Sequence, residues 1–145
     1  MKKLVILVML VCMGLLIADP IPIGDGVLTN THVPIESFWG YTYSQVIYTA
    51  EEIGGAVDIE NVAWHYNGDE AWTENECVVY MGHTTLDSFA TYPDWIPVTE
   101  LTEVWSGPLT VMDFDHWVTV ELTNQFAYNG TDNLVIAFDA NTAGC

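Results

Sequence analysis

Val57-Asp58-Ile59-Glu60-Asn61-Val62-Ala63-Trp64-His65-Tyr66 follows a Gly54-Gly55 break and runs into Asn67-Gly68. Its first half alternates apolar and acidic residues, the period of a strand with one buried and one wet face. Asn and Gly tolerate the positive φ that tight turns need, so Asn67-Gly68 ends the strand. The same triplet, Tyr-Asn-Gly, recurs at Tyr128-Asn129-Gly130. No wider similarity surrounds the two copies. They are read as turns, each preceded by an anchoring ring, and not as an internal repeat. Asn129-Gly130-Thr131 also has the form of a glycosylation acceptor.

Working outward, the other segments punctuate in the same way. Phe38–Tyr48 is aromatic and β-branched, with Trp39, Tyr41 and Tyr43 at alternating positions. Cys77–Met81 ends at Gly82, and Glu103–Trp105 leads through Gly107-Pro108 into Leu109–Met112. Trp117–Leu122 alternates, and Leu134–Phe138 is almost continuously apolar. Strands at this spacing, separated by Gly and Asn, predict an all-β, antiparallel sandwich of jelly-roll-like form. Ala50-Glu51-Glu52 before the glycine pair has the look of a helix end, but continuity with the aromatic segment favours strand. The connection from Gly82 to Val98 is expected to fold over the sandwich with Trp95 as its anchor.

Lys2 and Lys3 precede an apolar run, Leu4 to Ile17, and Ala18 stands before polar Asp19. That order is a secretory signal peptide over residues 1–18, an uncleaved anchor being the alternative. Residues 19–145 then form one domain of ordinary size. Cleavage removes both basic side chains and leaves all 20 acidic ones, a charge of −20 with His neutral. With no Lys or Arg there is nothing to contact nucleic-acid phosphates, to form a Schiff base or to clamp an anion. Nucleic acid, membrane insertion after cleavage and phosphoryl transfer are excluded. Neutral ligands such as sugars, and cations, remain. Six Trp, seven Tyr and five Phe exclude a disordered acidic tail. Of the mature cysteines, Cys145 is terminal and Cys77 sits in an apolar run, so Cys77 is read as a buried free thiol.

Gly40–Tyr48, Glu52–Gly55, Ile59–Gly68, Val79–Thr85, Asp94–Pro97, Val104–Gly107 and Phe126–Asp139 together, in that order, resemble a β-sandwich module. The module stands near the N-terminus of large exported proteins of Bacteroidota-like bacteria, many with C-terminal domains for type IX secretion. The resemblance covers most of Ile23 to Gly144. It implies an exported module in surface display, adhesion or polymer handling, with further domains of the same polypeptide as partners. The family has no established catalytic residues to carry over.

No catalytic constellation assembles from the residues themselves. There is no Gly-x-Ser-x-Gly elbow, and His32, His65, His83 and His116 lack zinc spacing. A glycosidase needs one carboxylate pair at a set separation, and nothing isolates a pair among the twenty. No cofactor is expected beyond a calcium ion, for which Asp69, Glu70 and Glu74 (with Glu76), Asp113, Asp115 and Asp132 are the candidate ligands. For stacking on a glycan the candidate is Trp72, in the acidic region after Asn67-Gly68, while Trp64 and Trp117 are expected to be buried.

The reading is a secreted or cell-surface, non-catalytic binding or display module. Its alternatives are a carbohydrate-binding accessory module of a polysaccharide-degrading enzyme and a glycoside hydrolase fragment. Leu134–Phe138 should be covered on both faces or lie centrally in its sheet. Because the chain turns after it and stops, the domain is expected to lack C-terminal strands, leaving an open sheet edge beside Leu134–Phe138.

Overall fold

The computed structural model describes residues 20–24, 30, 32–36, 38–91 and 94–143. The proposed signal peptide and Cys145 lie outside these residues. The alternating stretch of the sequence forms β2, Val57–Tyr66, and the other strands are β1 (Thr42–Tyr48), β3 (Trp72–Thr84), β4 (Thr102–Val111), β5 (His116–Tyr128) and β6 (Asn133–Ala140). Two antiparallel sheets pack face to face, one ordered β1-β6-β3-β4 and the other β2-β5. The all-β sandwich is thus as the sequence indicates.

The core lies between the sheets. β2 contributes Ile59, Val62 and Trp64, and β5 contributes Val118, Val120 and Phe126. Facing them are Val79 and Met81 of β3, Val104 and Leu109 of β4, and Leu134, Ile136 and Phe138 of β6. Val79 and Met81 have no solvent exposure. The Trp64 and Phe138 rings meet edge to face across the gap, 4.5 Å between centroids.

The near-continuous apolar character of β6 has a double cause. β6 pairs with β1 along Thr42↔Ala140 to Tyr48↔Leu134 and with β3 along Cys77↔Ala140 to Thr84↔Asn133. Its second face, buried at Val135 and Ala137, lies under the described part of the β3–β4 connection, residues 85–91 and 94–101. Gln45 of β1 donates from Nε2 to the Ile96 carbonyl and accepts from the Ile96 amide. Tyr43 meets Trp95 edge on at 4.9 Å. A Cβ on Gly82 would collide with the Leu101 side chain, so this cover is close-fitting. The anchoring role expected of Trp95 holds.

The expected open edge beside Leu134–Phe138 is corrected: β6 has a strand on each side. The topology is short of strands elsewhere. In a full jelly roll of eight strands the first pairs with the last, the second with the next to last, and the middle two form a hairpin at one sheet edge. Here β1 pairs with β6 and β2 with β5, and the β3–β4 connection takes that hairpin's place in chain order without adding strands to the β2-β5 sheet.

Two further expectations change. Helix α1, Ala50–Ile53, replaces strand after Tyr48, because Thr49 and Glu52 form a reciprocal capping box and Gly54, at φ +85°, closes the other end. β1 begins at Thr42, so Trp39 and Tyr41 lie outside the ladder and are exposed, and Tyr43 points away from the core. The Tyr-Asn-Gly copies are turns between sheets, built alike. Tyr66 donates its hydroxyl to the Glu70 carbonyl, and Tyr128 donates to the Asp132 carbonyl. Each ring therefore ties the end of its strand across the turn.

Among the described residues the ion pairs are His32–Glu36 and His65–Asp115, both histidine pairs. The carboxylates of residues 19–145 have no Lys or Arg to offset them. Self-repulsion should therefore weaken the folded state most at low salt, where the Debye length is about 30 Å at 0.01 M and about 3 Å at 1 M. We expect the melting temperature to rise by several degrees across that range of sodium chloride. A flat profile would mean that the surface charges are already independent.

Candidate functional site

The outer faces of the two sheets each carry exposed aromatic rings. On the two-stranded sheet, Val118, Val120 and Leu122 of β5 turn inward, so Trp117, Thr119 and Glu121 turn outward. Trp117 is 64% exposed. It stands opposite His65 in register, with ring centroids 5.1 Å apart, and His65 Nε2 lies 3.3 Å from the Asp115 carboxylate. The adjoining β4–β5 connection exposes Met112 and Phe114, and His116 Nδ1 donates to the Phe114 carbonyl. This end of the sandwich presents an apolar, aromatic surface edged by Asp113 and Asp115.

The second site lies on the opposite outer face, beyond the cover formed by the β3–β4 connection. Pro108 has no amide hydrogen and is tolerated in strands mainly at edges and bulges. It lies on edge strand β4, where the β3–β4 register shifts between Glu74 and Cys77. The Asn75 and Glu76 amides at this bulge donate instead to Thr142 Oγ1. The Asn141 amide donates to the Glu76 carbonyl, and the Tyr41 amide to the Thr142 carbonyl. These bonds extend the sheet beyond the ends of β1 and β6. They leave an open depression of about 630 Å³ lined by Tyr41, Asn75, Glu76, Val78, Ser106 and Asn141. Tyr41 has φ +58° and is 71% exposed. A left-handed backbone in a bulky residue is a real strain. Beneath the depression, burial pushes the Cys77 thiol up to about 12, with help from the negative charges of Glu74 and Asp139.

The stacking candidate is corrected. Trp72 is half-buried against the core, and its Nε1 is sealed from solvent with no partner among the described residues. The reason is the bulge: an extra residue in β3 inverts the side-chain parity ahead of Cys77, which turns Trp72 inward. Trp64 is packed on the core as expected, whereas Trp117 is the exposed ring. Its outward direction was available in the sequence, since it shares parity with Thr119 and Glu121.

The candidate calcium ligands do not converge. Asp69 and Glu70 sit in the β2–β3 connection and Asp113 and Asp115 in the β4–β5 connection, while Asp132 is held by Asn129 Nδ2 in the β5–β6 turn. Glu74 accepts from the Thr142 amide. Among the described residues no three His, Cys, Asp or Glu side chains gather as a metal site. The histidines are also separate, and His83 stacks on Tyr128 while its Nε2 accepts from the Asn129 amide. No described helix is long and apolar enough to cross a membrane. Comparison of the chain with protein-family models, curated proteins and solved structures finds no match.

Proposed function

We propose that residues 19–145 are a non-catalytic binding module, exported and displayed as one unit of a larger extracellular polypeptide, that holds a neutral or cationic polymer. The observation that carries this reading is the exposure of aromatic rings at two separate places on the sandwich, Trp117 with Phe114 on the two-stranded sheet and Tyr41 beside a depression on the outer face of the four-stranded one. Exposed rings bring flat apolar faces that suit sugar rings and peptide surfaces. The absence of basic side chains after residue 18 argues against anionic partners. The polar depression beside Tyr41 favours the accessory carbohydrate-binding reading over a purely structural one.

The test is depletion of the soluble domain by insoluble polymers: cellulose, chitin, xylan, mannan and chitosan. We expect at least one to remove it from solution. A Tyr41→Asn, Trp117→Ala double variant should melt like the parent, since both rings are exposed, yet stay in the supernatant. Chitosan retained in preference to chitin would mark a cationic partner. Failure of all five polymers to deplete the parent domain would overturn the proposal.

A further inference from the structure

We infer that the depression beside Tyr41 is a saccharide subsite, in which one sugar ring of a neutral glycan stacks on the Tyr41 ring. The Asn75 and Asn141 amides, the Glu76 carboxylate and the Ser106 hydroxyl hold the sugar hydroxyls. This rests on the binding reading above and names its site and ligand class.

Three features converge on one place. The first is an unspent set of polar groups. Among the described residues, the backbone amides of Tyr41, Asn75, Glu76 and Asn141 are all engaged in the sheet extension. Among the described residues no hydrogen bond engages the side-chain heads of Asn75, Glu76, Ser106 and Asn141, or the Tyr41 hydroxyl. The backbone is fixed and the side chains are free, so they are positioned yet available. Amide, carboxylate and hydroxyl heads together both donate and accept, as sugar hydroxyls require.

The second feature is that two departures from regular backbone meet there. The bulge at Asn75–Glu76 redirects side chains, as bulges beside binding sites do. Tyr41 keeps a left-handed conformation that glycine or asparagine would hold at lower cost. A strained residue that leaves its ring exposed is better explained by what the ring touches than by what it packs on.

The third feature is shape and charge. The volume, about 630 Å³, lies in the range of small-ligand sites, roughly 300–1,000 Å³. The site is open along one side, as a site on a chain polymer must be. With Glu76 in its lining, Asp139 paired in register with the lining residue Val78, and no basic residue in the mature chain, an anionic sugar would be repelled.

The experiment uses soluble oligosaccharides of cellulose, chitin, xylan and mannan, with affinity from titration calorimetry and the contact surface from amide chemical-shift mapping. One of them should bind with shifts centred on Tyr41, Asn75 and Asn141. Tyr41→Asn should weaken it ~10-fold or more while leaving the melting temperature unchanged or raised, and Tyr41→Phe should retain most of the affinity. Asn75→Ala with Asn141→Ala should weaken binding as well, without altering the fold. If the parent binds a polymer but Tyr41→Asn binds it equally, and the shifts gather at Trp117, the subsite is wrong and the binding function stands. If the parent binds neither polymers nor oligosaccharides, both fall.

Discussion

Raising the pH above the thiol's ordinary value of 9.0 should unfold this domain progressively, with Cys77 as the leading cause, because its native-state value is pushed up to about 12. The direction follows from proton linkage. A thiol harder to ionise in the folded state binds its proton more tightly there than in the unfolded chain. Its stabilising contribution is complete below about pH 9 and is lost as pH climbs towards about 12. A shift of this size corresponds to about 4 kcal/mol, comparable with the whole stability of a small domain. Burial also raises Tyr128, Tyr48, Tyr43 and Tyr80 above 10.0, so they act in the same direction at still higher pH. Urea titrations at intervals across this range should show stability falling from about pH 9. Cys77→Ala, which removes the first ionisation, should flatten the early part of the fall. Equal slopes for parent and Cys77→Ala would rule out the thiol as the cause.

The second large effect is expected at Gly130. Its φ of +73° is left-handed, and a Cβ there would run into the backbone of Gly55 and Ala56. Backbone on the far side cannot swing away as a side chain can. Gly130→Ala should therefore cost about 3 kcal/mol or more, combining left-handed strain with overlap. Gly54→Ala is the internal control. Gly54 is equally left-handed at φ +85° but faces open space, so its substitution should cost about 1 kcal/mol. Similar losses for the two variants would show that conformation alone, and not the contact between the turn and Gly55-Ala56, determines the cost.

The contrast between those glycines also shows what the sequence exposes and what it hides. Asn67-Gly68 and Asn129-Gly130 declared their turns because turn chemistry is local, although only Gly130 of the four takes a positive φ. The strand positions were legible for the same reason, since alternation is read within a few residues. Extents were less so: β3 continues eight residues beyond the two ends of the apolar Cys77–Met81 run, through Thr73-Glu74-Asn75, where hydrogen bonding and not hydrophobicity sustains it. The faces were legible only where no bulge intervened. Trp117 could be oriented from Thr119 and Glu121. Trp72 could not, because the bulge that inverts it depends on Pro108, more than thirty residues away. Tyr41 was unreadable for a different reason. Nothing in Gly40-Tyr41-Thr42 marks the tyrosine, and not the glycine, as the left-handed residue. The helix at Ala50–Ile53 showed as Ala50-Glu51-Glu52 before the glycine pair and was outweighed by the aromatic strand before it; the Thr49 and Glu52 capping-box spacing is the signal that would have decided it.

The pairing of β1 with β6 ties Thr42 to Ala140, and β2 with β5 ties Val57 to Tyr128. Most of the sheet thus joins residues far apart along the chain, the arrangement that makes folding slow. The four-stranded sheet gains its centre only when residues 133–140 arrive, because β6 lies between β1 and β3. Until then β1 has no ladder and β3 has β4 alone. A nascent chain still short of Asn133 is therefore held without its native sheet by topology. If the domain is exported as proposed, the same delay keeps the polypeptide threadable while it crosses a membrane, and lets the sandwich close on the far side once β6 is through.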